Sequence, residues 1–102
     1  MDVPEKWHSY DCADYFQSTL SEKGWWDEEG QCQYIEPADR VFEDYAREFL
    51  VIGRPGVDGI QWGYRKGHAG IWAHYPIENT FVLLADTASN LRAGFHSGRI
   101  TA

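Results

Sequence analysis

The pattern that most constrains this chain lies between residues 56 and 75, where two alternating segments flank a glycine-rich turn at residues 66 to 70. In each segment a large or apolar side chain recurs at every second position. This period is typical of β-strands, because successive side chains point to opposite faces. The pattern therefore predicts a β-hairpin. Its alternating residues are Ile60, Trp62 and Tyr64 before the turn and Ile71, Ala73 and Tyr75 after it.

Two helices are predicted before this hairpin. Asp11 is a good N-cap and Gly24 a good stop, which predicts a helix over residues 11 to 23. A second helix is predicted over residues 37 to 52, because apolar pairs recur there every four residues and proline is tolerated in a first helical turn. Residues 31 to 35 are predicted as a short strand, and residues 1 to 10 as an irregular lead-in.

Further elements are predicted after the hairpin. Residues 76 to 79 have turn chemistry, and the near-continuous apolar run over residues 80 to 85 predicts the most buried strand of the sheet. Asp86 or Thr87 can cap a short helix that ends at Gly98. Residues 99 to 101 are predicted as an edge strand.

Length and composition predict one domain, residues 1 to 102, with an aromatic core. The chain has five Trp, six Tyr and five Phe, and its length suffices to bury a modest core. Because it has no run of about 18 apolar residues and no basic-then-apolar N-terminus, neither a membrane span nor a secretory signal is expected. Cys12 and Cys32 are predicted to be reduced thiols in a cytoplasmic protein.

Charge is distributed unequally along the chain. Residues 1 to 50 contain thirteen acidic and four basic residues, a formal net charge of −9, whereas residues 51 to 102 carry +2. An acidic field opposes binding to nucleic acid and favours solubility or attraction to a basic partner. A solvated acidic surface without any partner is the alternative.

Few residues suggest catalysis or metal binding. The four histidines lack metal-site spacing, and His74 alone falls on a predicted strand. The glycines at residues 53 to 59 precede a strand rather than a helix, which favours turns over a phosphate loop. Three consecutive acids at residues 27 to 29 do not match a calcium loop. No catalytic residue, cofactor or metal site is therefore predicted.

Aromatic side chains of the hairpin could also stack on single-stranded RNA. Only Arg65 and Lys66 flank them, however, and phosphate neutralisation supplies most of the affinity in such binding. Core packing is therefore the favoured role, and no nucleic-acid partner is predicted. The side chains concerned are Trp62, Tyr64, Trp72 and Tyr75.

Five motifs follow one another over about residues 40 to 101. They are Phe49-Leu50, Gly56-x-Asp58-Gly59-Ile60-x-Trp62-Gly63-Tyr64-Arg65, Gly70-Ile71-Trp72-Ala73-x-Tyr75-Pro76-Ile77, Phe81 to Ala85, and Leu91-x-x-Gly94-Phe95-x-x-Gly98-x-Ile100. Their order resembles the SUKH superfamily, the Smi/Knr-like proteins. The resemblance implies an α+β fold, an antiparallel β-sheet flanked by helices, without catalytic residues. It also implies an immunity protein, one that binds and neutralises a toxin used in competition between bacteria.

These observations lead to the hypothesis of an immunity protein whose acidic surface meets a basic toxin domain. Electrostatic complementarity would speed association, and an exposed tryptophan would supply binding energy. The contact residues predicted first are Trp25, Trp26, Asp27, Glu28 and Glu29, and those predicted second are Asp39, Glu43 and Asp44.

Two other functions remain open at this point. A small enzyme or ligand-binding domain would bring His74, Tyr64 and Arg65 together in a pocket. Period-2 geometry opposes this, because Tyr64 and Arg65 should point to opposite faces of one strand. A regulatory interaction scaffold would differ from the immunity protein only in its partner.

Overall fold

The computed structural model describes residues 2–28, 31–54 and 59–100, which form two antiparallel sheets and three helices. The helices are α1 (Ala13–Phe16), α2 (Leu20–Lys23) and α3 (Ala88–Ser97). The strands are β1 (Trp25–Asp27), β2 (Cys32–Ile35), β3 (Phe42–Asp44), β4 (Phe49–Gly53), β5 (Gln61–Arg65), β6 (Ile71–Tyr75) and β7 (Thr80–Ala85). Short 3₁₀ turns occupy Glu5–Trp7 and Ala38–Arg40.

The larger sheet is a five-stranded meander in the order β3-β4-β5-β6-β7, so each strand pairs with its neighbour in sequence. The predicted hairpin lies at its centre. Trp62 pairs with Ala73 and Tyr64 with Ile71, in the register that the alternation predicts. The predicted start of this stretch, Gly56, falls outside the described residues.

The two faces of the five-stranded sheet have different roles. Its inner face contributes Leu50, Ile52, Trp62, Tyr64 and Ile71 to the main core, where they join side chains from the N-terminal segment, α1, β2 and α3. Side chains of the opposite face do not belong to that core cluster and form a smaller group of their own. Its members are Phe49, Val51, Trp72, His74 and Phe81.

These layers make one compact α+β domain. Its smallest dimension is 21 Å, which matches one sheet and one layer of helices at about 10 Å each. The predicted fold class, an antiparallel sheet flanked by helices, is confirmed.

The helix predicted over residues 37 to 52 is wrong. That stretch contains a 3₁₀ turn and then the hairpin β3-β4. Two features outweigh the helical spacing. The run from Phe49 to Ile52 is buried on both sides, as in a central strand, and the Asp44 side chain accepts a hydrogen bond from the Arg47 backbone at 3.2 Å, which builds a turn.

The helix predicted over residues 11 to 23 is interrupted. Residues 17 to 19 form a turn between α1 and α2. The Ser18 hydroxyl donates to the carbonyl of Tyr15 at 2.8 Å and accepts from the backbone of Leu20 at 3.2 Å, so it replaces helical backbone bonds with local ones. The predicted stop is correct, since Gly24 ends α2 with a φ of 67°.

The end of the chain departs from prediction in two places. Strand β7 was expected to be the most buried, but it lies at the edge of the sheet, and Val82 and Leu83 are 46% and 55% exposed. Arg99 and Ile100 form no strand, and residue 101 lies outside the described range. Helix α3 begins as predicted, because the Thr87 hydroxyl accepts from the Asn90 backbone, and it ends at Gly98.

Candidate protein-binding surface

The β1-β2 hairpin is fixed to the core by a stack of aromatic rings. Tyr34 on β2 stacks on Phe95 of α3 at 4.8 Å between ring centroids and on Trp62 of β5 at 5.8 Å. Trp25 packs on Tyr34 at 5.3 Å, and the Trp62 indole donates to the Tyr34 carbonyl at 2.6 Å. These contacts therefore anchor the hairpin to α3 and the central sheet.

Trp26 lies on the other side of the same hairpin and is 51% exposed. Adjacent residues of an extended chain point to opposite faces, so anchoring Trp25 directs Trp26 outward. Trp26 pairs with Gln33 across the hairpin, and paired residues share a face.

Gln33 lines an open groove of about 510 Å³ between α2, β2 and the 3₁₀ turn that follows, a region we call the acidic groove. Three carboxylates and two basic side chains line it, which gives an excess of one negative charge. The lining residues are Ser21, Glu22, Lys23, Gln33, Glu36, Pro37, Ala38, Asp39 and Arg40. Trp26 stands beside this groove through its pairing with Gln33.

Glu36 is the most unusual residue of the acidic groove, because its side chain is only 8% exposed. Its backbone is well bound, since its N–H donates to the Ile52 carbonyl at 2.7 Å and its carbonyl accepts from the Tyr15 hydroxyl. By contrast, its Oε2 atom is buried without a hydrogen-bond partner in the described structure. Burial is the main cause that raises the pKa of Tyr15, and the negative charge of Glu36 raises it further.

Three of the first predicted contact residues have side chains that are at least partly exposed on the β1-β2 hairpin. Trp26 and Glu28 are exposed and Asp27 is partly exposed. Trp25 is instead an anchor of the core, and Glu29 lies outside the described residues. Asp39 is exposed and lines the acidic groove.

The other two predicted contact residues lie elsewhere and have structural roles. Glu43 accepts a hydrogen bond from Tyr10 at 2.7 Å and lies 3.9 Å from the Lys66 ammonium. Asp44 forms an ion pair with Arg47 at 2.6 Å. Partial burial raises the pKa of Asp44, but the hydrogen bonds from Arg47 outweigh this effect and lower the pKa overall.

The alternative site of His74, Tyr64 and Arg65 does not assemble. Tyr64 faces the main core, whereas His74 and Arg65 belong to the opposite face. His74 is 1% exposed and shares a hydrogen bond with the Asn79 side chain. The Arg65 guanidinium lies 4.3 Å from the centre of the Phe81 ring and 4.8 Å from that of Trp72. These contacts are packing interactions and leave His74 inaccessible to a substrate.

Within the described part of the chain, no cluster of three or more potential metal ligands is present. No helix there is long and apolar enough to cross a membrane. Both cysteines are free thiols, as predicted, and burial raises the pKa of Cys12 to about 11.

Comparison of the chain with family models, with curated proteins and with solved structures finds no match.

Proposed function

We propose that the protein is a non-catalytic binding module, and specifically an immunity protein that binds and neutralises a basic toxin domain in the cytoplasm. The observation that carries this proposal is the half-exposed Trp26 on an anchored hairpin beside the acidic groove. A large exposed aromatic on a fixed backbone is the usual form of a binding hot spot. The resemblance to SUKH proteins supplies the toxin as the class of partner.

The distribution of charge also supports the acidic groove and Trp26 as the binding surface. The formal net charge is −7, and its negative part lies in residues 1 to 50. Some of these acids are used internally, among them Asp14, Glu43 and Asp44. Those that remain exposed on the groove side, such as Glu22 and Asp39, would attract a basic partner and speed its association.

The proposal is tested by co-expressing the protein with the product of the neighbouring gene in cells. We expect protection from that product's toxicity and co-purification of the two proteins. A neighbouring product that is not toxic, together with no change in fitness when this gene is deleted, would contradict the proposal. A stable complex with a non-toxic regulator would identify the scaffold function instead.

The surface is tested on the purified complex. Trp26→Ala should weaken binding by about 30-fold, the effect of losing a hot spot. Ile77→Ala, at an equally apolar and 83% exposed position in another turn, is the matched control and should leave affinity unchanged. Charge reversal at Asp27, Glu28 and Glu29 should slow association and reduce its dependence on salt. Unchanged kinetics in all these variants would place the interface elsewhere.

A further inference from the structure

We propose that the acidic groove receives one arginine side chain of the partner protein, with its guanidinium on the carboxylate of Glu36 and its flat face near Trp26. This inference rests on the proposed function, because it names the chemical group of the partner that the surface would recognise. It concerns one position of the interface and is tested separately from the identity of the partner.

The first step concerns the buried oxygen of Glu36. A carboxylate oxygen removed from water without a hydrogen bond is unfavourable, and proteins normally supply a donor or a cation to such a group. Here Glu36 lines an open groove, and its Oε2 atom has no donor in the described structure. A cation from outside could therefore reach the carboxylate through the acidic groove.

The second step concerns the basic residues of the chain itself. Lys23 and Arg40 line the same groove, but the ion pairs of the described residues involve only Arg47 and Lys66 as cations. Arg54 lines a second cavity with Glu36, but none of the ion pairs among the described residues involves the Glu36 carboxylate. Glu22 and Asp39 add further negative charge to the groove walls, which favours a cation over a neutral group.

The third step selects a guanidinium. It presents five N–H donors in a planar fork, which suits a site with several separate acceptors. The Gln33 amide nitrogen already donates to the Ile35 carbonyl at 2.7 Å, so its amide oxygen is left as a further acceptor among the residues that line the groove. The exposed indole of Trp26 offers an aromatic face, on which a guanidinium packs well. A metal ion is not favoured, because the described residues contain no cluster of ligands for one.

The inference is tested on the protein alone by NMR titration with N-acetyl-arginine amide. We expect saturable shifts of the Trp26 indole signal and of the Gln33 and Asp39 backbone amides. N-acetyl-citrulline amide has nearly the same shape without the charge and should cause no saturable shift, and N-acetyl-lysine amide should bind at least several-fold more weakly. Glu36→Gln should reduce arginine binding at least tenfold, whereas Glu78→Gln, at an exposed acid in the turn between β6 and β7, should leave it unchanged.

Several results would overturn the inference. The first is the absence of saturable shifts up to about 100 mM N-acetyl-arginine amide, a concentration that fills a millimolar site. The second is an equal response to N-acetyl-citrulline amide. The third is undiminished arginine binding by the Glu36→Gln variant. The unfolding midpoint of Glu36→Gln is a further readout. It should not fall, because the variant removes a charge with no partner, and a clear loss of stability would reveal an internal partner and count against the inference.

Failure of this inference and failure of the proposed function give different results. If Glu36→Gln protects cells and binds the toxin as tightly as the original protein, the arginine site is wrong and the immunity function stands. If no toxin partner exists, the proposed function fails whatever the result of the titration.

Discussion

At the scale of single residues, Asp14 joins three elements of the fold. It lies on α1, and its two carboxylate oxygens accept from the Tyr64 hydroxyl of β5 at 3.1 and 3.0 Å. Its Oδ2 atom also accepts from the backbone N–H of Ala88 at 2.6 Å, at the first residue of α3. A carboxylate at a helix N-terminus is further stabilised by the helix dipole. Asp14 therefore fixes both helices to the central strand.

Asp14→Ala should lower the free energy of unfolding by about 3 kcal/mol, since it leaves a buried hydroxyl and a helix N–H without their charged acceptor. Urea unfolding followed by circular dichroism measures this loss. Asp11→Ala, an exposed acid three residues earlier, is the matched control and should change stability by no more than about 0.5 kcal/mol. If Asp14→Ala lowers the free energy of unfolding no more than Asp11→Ala does, the contacts of Asp14 contribute nothing to stability.

At the scale of elements, the parts predicted correctly from sequence are those in which local pattern and tertiary environment agree. The β5-β6 hairpin has alternation on both strands and a glycine turn, and α3 has a threonine cap and a glycine stop. Alternation along β1 likewise places Trp25 against Tyr34 and leaves Trp26 half-exposed. In these places no distant contact was needed to select the structure.

The parts that were missed depend on distant contacts. The i, i+4 spacing in residues 41 to 50 fits a helix, but pairing with β5 buries both sides of β4 and selects a strand. The apolar run of β7 does not reveal that it ends the sheet. Glu36 carries no local signal of its burial, which follows from the backbone bond to Ile52 and the packing of Tyr15. Only the preceding apolar residue, Ile35, hints that the chain is entering the core.

The β3-β4 turn provides a test that separates hairpin from helix. Glu48 has a φ of 52°, a conformation that costs an ordinary residue roughly 1 to 2 kcal/mol and glycine almost nothing. We therefore expect Glu48→Gly to be more stable than Glu48→Ala by about 1 kcal/mol in chemical unfolding. Both variants lose the ion pair with Lys66, so their difference isolates the backbone. In a helix the order would be reversed, because glycine is about 1 kcal/mol less favourable there than alanine.

At the scale of the whole molecule, several tyrosine hydroxyls and one cysteine thiol lie in the core layer between the sheet and the helices. Cys12, Tyr15 and Tyr64 are fully buried and Tyr10 nearly so. Burial is the main cause that raises the pKa of all four groups, and nearby acids, such as Glu43 beside Tyr10 and Asp14 beside Tyr64, raise the pKa of the tyrosines further. The acidic N-terminal half thus also acts within the fold, by keeping these groups protonated.

This arrangement predicts a loss of stability in alkali. The unfolded chain releases its cysteine protons near pH 9.0 and its tyrosine protons near pH 10.0, whereas the folded protein holds them to higher pH. The stabilisation is therefore complete below pH 9 and is lost as the pH rises, for Cys12 through its folded pKa of about 11. We expect the free energy of unfolding to fall by about 3 kcal/mol between pH 8 and pH 10.5, measured by urea titration at each pH.

The Cys12→Ala variant should be less stable at neutral pH. Its free energy of unfolding should fall less between pH 9 and pH 10, because the first group to titrate is absent. A midpoint that stays constant over the range in the original protein would mean that these protons are not held by the fold.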